Sequence, residues 1–297
     1  MTISFEGRVA IVTGAGGGLG RAYALELAGR GAKVVVNDLG AMRDGGGQSD
    51  AALTVVEEIR AGGGEAMADG GNVTDEGQMV AMVEKAVSAW GGVHVLINNA
   101  GILRDKSFAK MEMADFRAVT DVHLIGSANA THAVWERMRE QGYGRILMTS
   151  SSTGLYGNFG QANYAAAKMG LAGFARTLAL EGAKYNVRVN TIAPTAATRM
   201  TQELFPPELL ERFRPELVAP AALFLVSEEA PTGTIIGAGA GVVQAAHVTL
   251  TRGVALAEAT PEAVAAQWEA IIDRAGESVP QSGTEQVAAI LDRLRQS

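Results

Sequence analysis

The feature that most restricts what this chain can fold into is an alternation: a short apolar run, a sharp turn and a helical pattern, repeated from Arg8 to Ile192. The apolar runs are Arg8 to Thr13, Lys33 to Asn37, Glu65 to Val73, Val93 to Ile97, Arg145 to Thr149 and Val187 to Ile192, with Thr234 to Ala238 as a last one. Between them the periodicity predicts helices over Ala22 to Ala28, Ala51 to Arg60, from a cap at Thr74 or Asp75 through Ala89, Met113 to Glu140 and Gln161 to Ala183. Strands separated by helices pair in parallel through right-handed crossovers. The expectation is an α/β fold, a doubly wound parallel sheet of seven strands whose carboxyl ends share one edge, where such sheets bind ligands.

The first turn of that alternation reads Thr13-Gly14-Ala15-Gly16-Gly17-Gly18-Leu19-Gly20. Strand, glycine turn and helix form a phosphate-binding unit, because glycines let the backbone approach a pyrophosphate and the helix N-terminus offers unpaired N–H groups. This makes the sheet Rossmann-like and NAD the expected cofactor. Asp38 ends the second strand, 18 residues after Gly20, where a carboxylate accepts bonds from ribose hydroxyls and repels a 2′-phosphate. Turns of this kind also merely connect strands to helices.

A second stretch, Ser151 to Lys168, carries chemistry. Tyr164 and Lys168 stand four apart in a run rich in Ala and Leu, so on a helix they share a face. An ammonium beside a phenol favours the phenolate, so Lys168 is expected to lower the Tyr164 pKa and make it a general acid/base. Ser151 follows the fifth strand and would present its hydroxyl to a substrate oxygen. A Tyr and a Lys at this spacing are equally compatible with ordinary helix residues.

Composition limits the remaining classes. Thirty-seven glycines and 5% aromatics suit close helix-on-sheet packing. The absence of cysteine excludes disulfides and thiolate metal sites and fits a reducing, cytoplasmic setting. His94, His132 and His247 show no metal-ligand spacing, so no metal is expected. A net charge of −7 argues against nucleic acid and anionic membranes as partners. No leader pattern, no uncharged run of about 18 residues and no peroxisomal address at the C-terminus are read in the sequence. Gly40 to Gly47, with Arg43 and Asp44, reads as a loop insertion, and Thr195 to Pro215 as a lid over a substrate. Glu216 to Val226 reads as a helix and Gly237 to Gly241 as a turn. The domain is expected to span 1–240. Residues 241–297, extended at His247 to Arg252 and helical at Pro261 to Ala275 and Thr284 to Arg295, form an appendage packed on it.

Thr13-Gly14-x-x-x-Gly18-x-Gly20, Asn98-Asn99-Ala100-Gly101, Ser151, Tyr164-x-x-x-Lys168 and Asn190-x-x-x-Pro194, in this order, resemble the short-chain dehydrogenase/reductase family. The insertion after Asp38, Gly101 to Asp105, Tyr156 to Tyr164 and Pro280-Gln281-Ser282 are similar to its (3R)-hydroxyacyl-CoA dehydrogenase branch. The resemblance implies Tyr164 as acid/base, Lys168 on the nicotinamide ribose and Ser151 on the substrate oxygen. It implies cofactor contacts from Gly14, Gly18, Leu19, Gly20, Asn72, Val73, Asn99, Ala197 and Thr198. His123 occupies the place of a relay asparagine, as catalytic residue or as packed helix histidine, and Thr195 replaces a glycine. The implied activity is NAD-dependent interconversion of a secondary alcohol and a ketone in a homodimer or homotetramer, on a small-molecule substrate, an acyl-CoA or else a 17β-hydroxysteroid. An enzymatically silent NAD(H)-sensing module is the alternative of another class. Arg43, Arg104, Lys106, Arg199, Arg212 and Arg214 are candidate partners of CoA phosphates.

Overall fold

A computed structural model describes residues 2–40, 50–198 and 206–295. Arg43, Asp44 and Arg199, with most of the glycine-rich insertion and part of the expected lid, lie outside the described residues. The strands are β1 Val9–Thr13, β2 Lys33–Asn37, β3 Glu65–Asp69, β4 Val95–Asn98, β5 Gly144–Thr149, β6 Val187–Pro194, β7 Ile235–Gly239 and β8 Val242–Ala246. Their order in the sheet is β3-β2-β1-β4-β5-β6-β7-β8. The pairs from β3 to β7 are parallel, in registers such as Val12 opposite Val36 and Ile97 opposite Leu147.

The helices are α1 Gly18–Gly29, α2 Ala51–Ala61, α3 Glu76–Trp90, α4 Met113–Thr120, α5 Gly126–Glu140, α6 Ser152–Tyr156, α7 Ala162–Gly182, α8 Pro207–Leu210 and α9 Ala219–Leu225. Both faces of the sheet are covered. Ala10, Val12 and Val34 pack with Leu27 of α1, Val55 of α2 and Leu223 of α9. Val9, Ile11 and Val35 pack with Met82 of α3, Val134 of α5 and Leu171 of α7. Double coverage explains why β2 reads as an unbroken apolar run, since Val34, Val35 and Val36 are all fully buried. Asp75 rather than Thr74 caps α3, accepting a bond from the Gln78 N–H.

Two expectations are corrected. The helix expected over Met113 to Glu140 is broken by a π-helical turn at Asp121–Ile125, whose widened turn carries His123 at 2% exposure. The sheet has eight strands, not seven, because the chain turns back after β7. That return uses two residues, Ala240 at φ +51° and Gly241 at φ +78°. Positive φ at both positions suits a tight hairpin between twisted strands, so β8 runs antiparallel along the sheet edge.

By internal contacts the chain falls into a unit of Met1–Ala245 and one of Ala246–Ser297. The second unit holds an antiparallel bridge between Leu250 and Ser278 and three helices, α10 Pro261–Ala266, α11 Trp268–Ile272 and α12 Gly283–Arg295. The helix expected over Pro261 to Ala275 is thus two shorter ones.

Ala240 is a side-chain-bearing residue in a backbone region that favours glycine. Ala240→Gly relieves that strain and should raise stability by roughly 0.5–1 kcal/mol, the left-handed penalty less the entropy glycine brings to the unfolded chain. Gly241→Ala should lower it. Denaturant midpoints of the two variants check this, and a destabilised Ala240→Gly would contradict the tight-turn assignment.

Candidate active site

The sheet order reverses around β1, which pairs with β2 on one side and β4 on the other. The crevice lies at that reversal, beyond the carboxyl ends of the strands. α1 begins behind Gly17 with no side-chain cap and no acid in its first turn, so its first N–H groups are left for an anion. A side-chain carbon at Gly17 would meet nothing within 4 Å, whereas one at Gly14 would stand 2.7 Å from Ala100 Cα and one at Gly20 2.3 Å from the Gly14 carbonyl oxygen. Gly17 bares its backbone to the crevice; the other two let the turns pack.

The cavity there measures about 600 Å³. Of the residues implied for the cofactor, Gly14, Gly18, Leu19, Asp38, Asn72, Val73, Asn99 and Thr198 line it. Thr198 closes over the turn, its Cγ2 3.3 Å from where a side chain on Gly18 would begin. Gly20 lies inside the helix, and the Ala197 N–H donates to the Phe213 carbonyl at 2.6 Å; neither lines the cavity. Asp38 is held at the wall, its Oδ2 accepting from the Gly16 N–H and its Oδ1 from the Gly40 N–H, both at 2.8 Å. Asn99 is a brace as well as a wall residue. Its Nδ2 donates to the carbonyls of Thr13 and Gly14 at 3.0 Å, and its N–H donates to Thr13 Oγ1 at 3.0 Å.

Ser151, Tyr164 and Lys168 come together at the ends of β5 and α7. Ser151 caps α6, its Oγ accepting from the Thr153 N–H at 3.2 Å. Gly154 lets α6 seat on α7, since a side-chain carbon there would lie 2.6 Å from Lys168 Cβ. The Ser151 hydroxyl lies near enough to the Tyr164 hydroxyl to favour its ionised form. Lys168 is buried, with Nζ donating to the Thr149 carbonyl and standing 5.5 Å from the Tyr164 ring centre.

Here the electrostatic expectation is corrected. Within the protein alone Lys168 does not depress the phenol: burial pushes the Tyr164 pKa up to about 12, against the lowering effect of the nearby Ser151 hydroxyl, and the Asp105 charge adds to the rise. Burial also brings the Lys168 pKa down to about 7. A low-dielectric interior penalises phenolate and ammonium alike, so each is held near or in its neutral form.

His123 meets Tyr164 edge to face with ring centres 5.1 Å apart. Burial, then the charge of Lys168, hold its pKa well below the usual value, so the imidazole is neutral at physiological pH. Its Nε2 is 2.8 Å from the Ile102 carbonyl and 3.2 Å from the Ile102 N–H; the shorter contact makes Nε2–H the donor. Ser127 Oγ donates to the His123 carbonyl at 2.6 Å. Gly101 is required by this ring, because a side-chain carbon there would lie 2.2 Å from His123 Cε1.

Sequence reasoning passed over Thr13, Gln161 and Asn163. Thr13 Oγ1 receives the N–H groups of Asn99 and Ala100. Asn163 Oδ1 accepts the Tyr164 N–H at 2.8 Å and its Nδ2 donates to the Arg104 carbonyl at 3.0 Å. Polar residues flanking a helix start were the available signal. Two candidate phosphate partners are otherwise engaged: Arg104 and Lys106 both pair with Asp115, at 3.0 and 3.3 Å.

Comparison with known proteins places this geometry among relatives. A family model described as short chain dehydrogenase matches residues 8–209. Peroxisomal multifunctional enzyme A of Dictyostelium discoideum is 48% identical over 98% of this chain, which spans 66% of that protein. The full-length peroxisomal multifunctional enzyme type 2 of Drosophila melanogaster superposes with a TM-score of 0.84 at 41% identity over 99% of this chain, which spans 50% of that one. A 7α-hydroxysteroid dehydrogenase solved with NADH and 7-oxo glycochenodeoxycholic acid superposes with a TM-score of 0.72 at 34% identity, over 81% of this chain and 96% of that one.

Tyr164→Phe should lower turnover of secondary alcohols by roughly 10²–10⁴ while leaving the thermal midpoint nearly unchanged, since it deletes the hydroxyl expected to transfer the proton and keeps the ring. A variant retaining more than half of wild-type kcat would sink Tyr164 as acid/base. The Lys168 pKa gives a pH test. Between about pH 7 and 10 the unfolded chain holds a proton on this lysine that the folded protein lacks, so stability gains with rising pH from this group. The thermal midpoint of the nucleotide-free wild type, relative to Lys168→Met, should therefore climb from pH 7 to pH 9. A difference that does not vary with pH would show that Lys168 is charged in the fold.

Proposed function

Because this chain belongs to the short-chain dehydrogenase/reductase family, whose members are oxidoreductases using a nicotinamide cofactor, we propose that it is an NAD-dependent dehydrogenase interconverting (3R)-3-hydroxyacyl-CoA and 3-ketoacyl-CoA. The observation that carries the reaction type is the meeting of Ser151, Tyr164 and Lys168 beside the glycine-lined cavity. Likeness to multifunctional enzymes over 98–99% of the chain, beyond the stretch matched by the family model, supports the acyl-CoA branch.

The residues present fit a dinucleotide. Gly17 and the uncapped start of α1 would take the pyrophosphate, Asp38 the adenosine ribose, and Lys168 the nicotinamide ribose, with Asn72, Val73, Asn99 and Thr198 along the wall. When bound, the oxidised nicotinamide supplies a hydride acceptor at its C4 and a positive charge. Tyr164 accepts the carbinol proton in oxidation and returns it in reduction, Ser151 holds the substrate oxygen, and neutral His123 buttresses the Tyr164 ring. Asp38 makes NAD the preferred cofactor, because a 2′-phosphate would meet a carboxylate already fixed by two backbone N–H groups.

A homodimer or homotetramer and a cytoplasmic location are parts of this proposal. Small residues on α5 and α7, such as Ala128, Ala165 and Ala166, support close helix contacts between copies. No described helix is long and apolar enough to cross a membrane. The likeness to a 7α-hydroxysteroid dehydrogenase supports a second reading, oxidation of a 17β-hydroxysteroid.

Asp38→Ser should narrow the ratio of kcat/KM for NAD over NADP; equal wild-type values for the two cofactors would show that Asp38 does not read the ribose. For the substrate, kcat/KM should be higher for a (3R)-hydroxyacyl-CoA than for its pantetheine-truncated analogue, and higher than for any 17β-hydroxysteroid, with the (3S) isomer inert. A steroid that outperforms every (3R)-hydroxyacyl-CoA would transfer the assignment to the second reading.

A further inference from the structure

The loop after β4 carries a charge that the reaction described above does not use. Asp105 is exposed, and its Oδ2 accepts a hydrogen bond from Gln161 Nε2 at 2.7 Å. Gln161 immediately precedes α7 and stands three residues before Tyr164. On either side of Asp105 the same loop is tied to the same place: the Arg104 carbonyl accepts from Asn163 Nδ2 at 3.0 Å, and the Lys106 N–H donates to the Gly160 carbonyl at 2.9 Å. Three consecutive residues are thus pinned to the start of the helix that bears Tyr164. Gln161 extends the connection to the other half of the site. Its Oε1 accepts from Thr153 Oγ1 at 3.0 Å, and the Thr153 N–H donates to Ser151 Oγ at 3.2 Å.

Among the described residues the Asp105 carboxylate has a hydrogen-bond donor in Gln161 and no cation paired with it. The flanking cations, Arg104 and Lys106, both turn to Asp115, and among the described residues no ion pair involves Asp105. Its charge reaches the reacting group, since it opposes ionisation of the Tyr164 phenol. We propose that Asp105, held by Gln161 beside the Ser151 and Tyr164 pair, is a specificity-determining residue that admits 3-hydroxy compounds whose C1 is a neutral thioester or ester and rejects the corresponding free carboxylates. A 3-hydroxy acid whose carbinol is held by Ser151 and Tyr164 carries its carboxylate only two bonds from the reacting carbon. A carboxylate brought next to Asp105 meets a like charge, and repulsion against the wrong substrate is a direct route to selectivity. This inference rests on the 3-hydroxyacyl reading of the substrate.

A purely structural role for Asp105 is the competing account, because an acid beside the N-terminus of the 21-residue α7 is favourable in itself. Two variants separate them. Asp105→Asn keeps an oxygen acceptor for Gln161 Nε2 and removes the charge; Asp105→Ala removes both. The full chain with NAD is assayed on (3R)-3-hydroxybutyrate and on its neutral N-acetylcysteamine thioester, which has no phosphates. The ratio of kcat/KM for acid over thioester should rise about tenfold in Asp105→Asn, and in the wild type it should rise with added salt as the repulsion is screened. The pH at which kcat/KM rises should also move down in Asp105→Asn, because the charge opposing the phenolate is gone. A ratio unchanged in Asp105→Asn overturns the inference, as does a ratio that responds only to Asp105→Ala, which would leave Asp105 a holder of Gln161. Failure of the substrate reading shows separately, as a wild-type kcat/KM for a 17β-hydroxysteroid above that for the thioester.

Discussion

The parallel pairing of β1 with β4, locked by Thr13 and Asn99, is the constraint on which the rest of the site depends. β1 is where the sheet order reverses, so its end and that of β4 must form the floor of a crevice. The lock consists of the bonds from Asn99 Nδ2 to two carbonyls of the glycine turn and from two backbone N–H groups to Thr13 Oγ1. These satisfy backbone groups that would otherwise be buried without partners at a cost of about 1–3 kcal/mol each. They also hold the glycine turn open to the cavity, so one network serves packing and recognition together.

The second determinant is desolvation. Tyr164 and Lys168 are carried by a helix whose inner face must pack on the sheet, and Lys168 is buried with its Nζ donating to the Thr149 carbonyl. Burial moves both pKa values against ionisation, the phenol to about 12 and the amine to about 7. In the protein alone both groups are therefore biased toward their neutral forms. In the proposed reaction a positive charge from a bound cofactor would favour the phenolate, which would tie proton transfer to occupancy of the adjacent cavity. His123 takes part by shape and a single hydrogen bond to Ile102, since it too is kept neutral.

Much of this was legible in the residues. The alternation of apolar runs and helical patterns placed the strands β1 to β7 within a few residues, because a sheet covered on both faces needs continuous apolar segments and its crossovers need helices. Glycines at 14, 18 and 20 and the Tyr164 to Lys168 spacing were readable because local geometry relates them, and the acid at 38 because it directly follows β2. The eighth strand escaped because Gly237 to Gly241 reads as a turn, and only the positive φ values of Ala240 and Gly241 show that β7 runs on through Gly239 before a two-residue return. The π turn at Asp121–Ile125 escaped for a similar reason, since a one-residue widening leaves the apolar periodicity on either side nearly intact.

By itself the sequence determined the fold class and marked the glycine turn and Ser151, Tyr164 and Lys168 as candidates for one site, because these depend on spacing along the chain, on the preferences of single residues and on a family resemblance. Only the tertiary structure decided the direction of the Tyr164 and Lys168 pKa shifts, since spacing shows that two groups can meet but not how much water they lose in meeting. It likewise decided that Arg104 and Lys106 share Asp115 and that Asp105 is left to Gln161. Those pairings join residues from the loop after β4, from α4 and from the start of α7, and their relative placement is set by the packing of helices on a common sheet rather than by any local pattern.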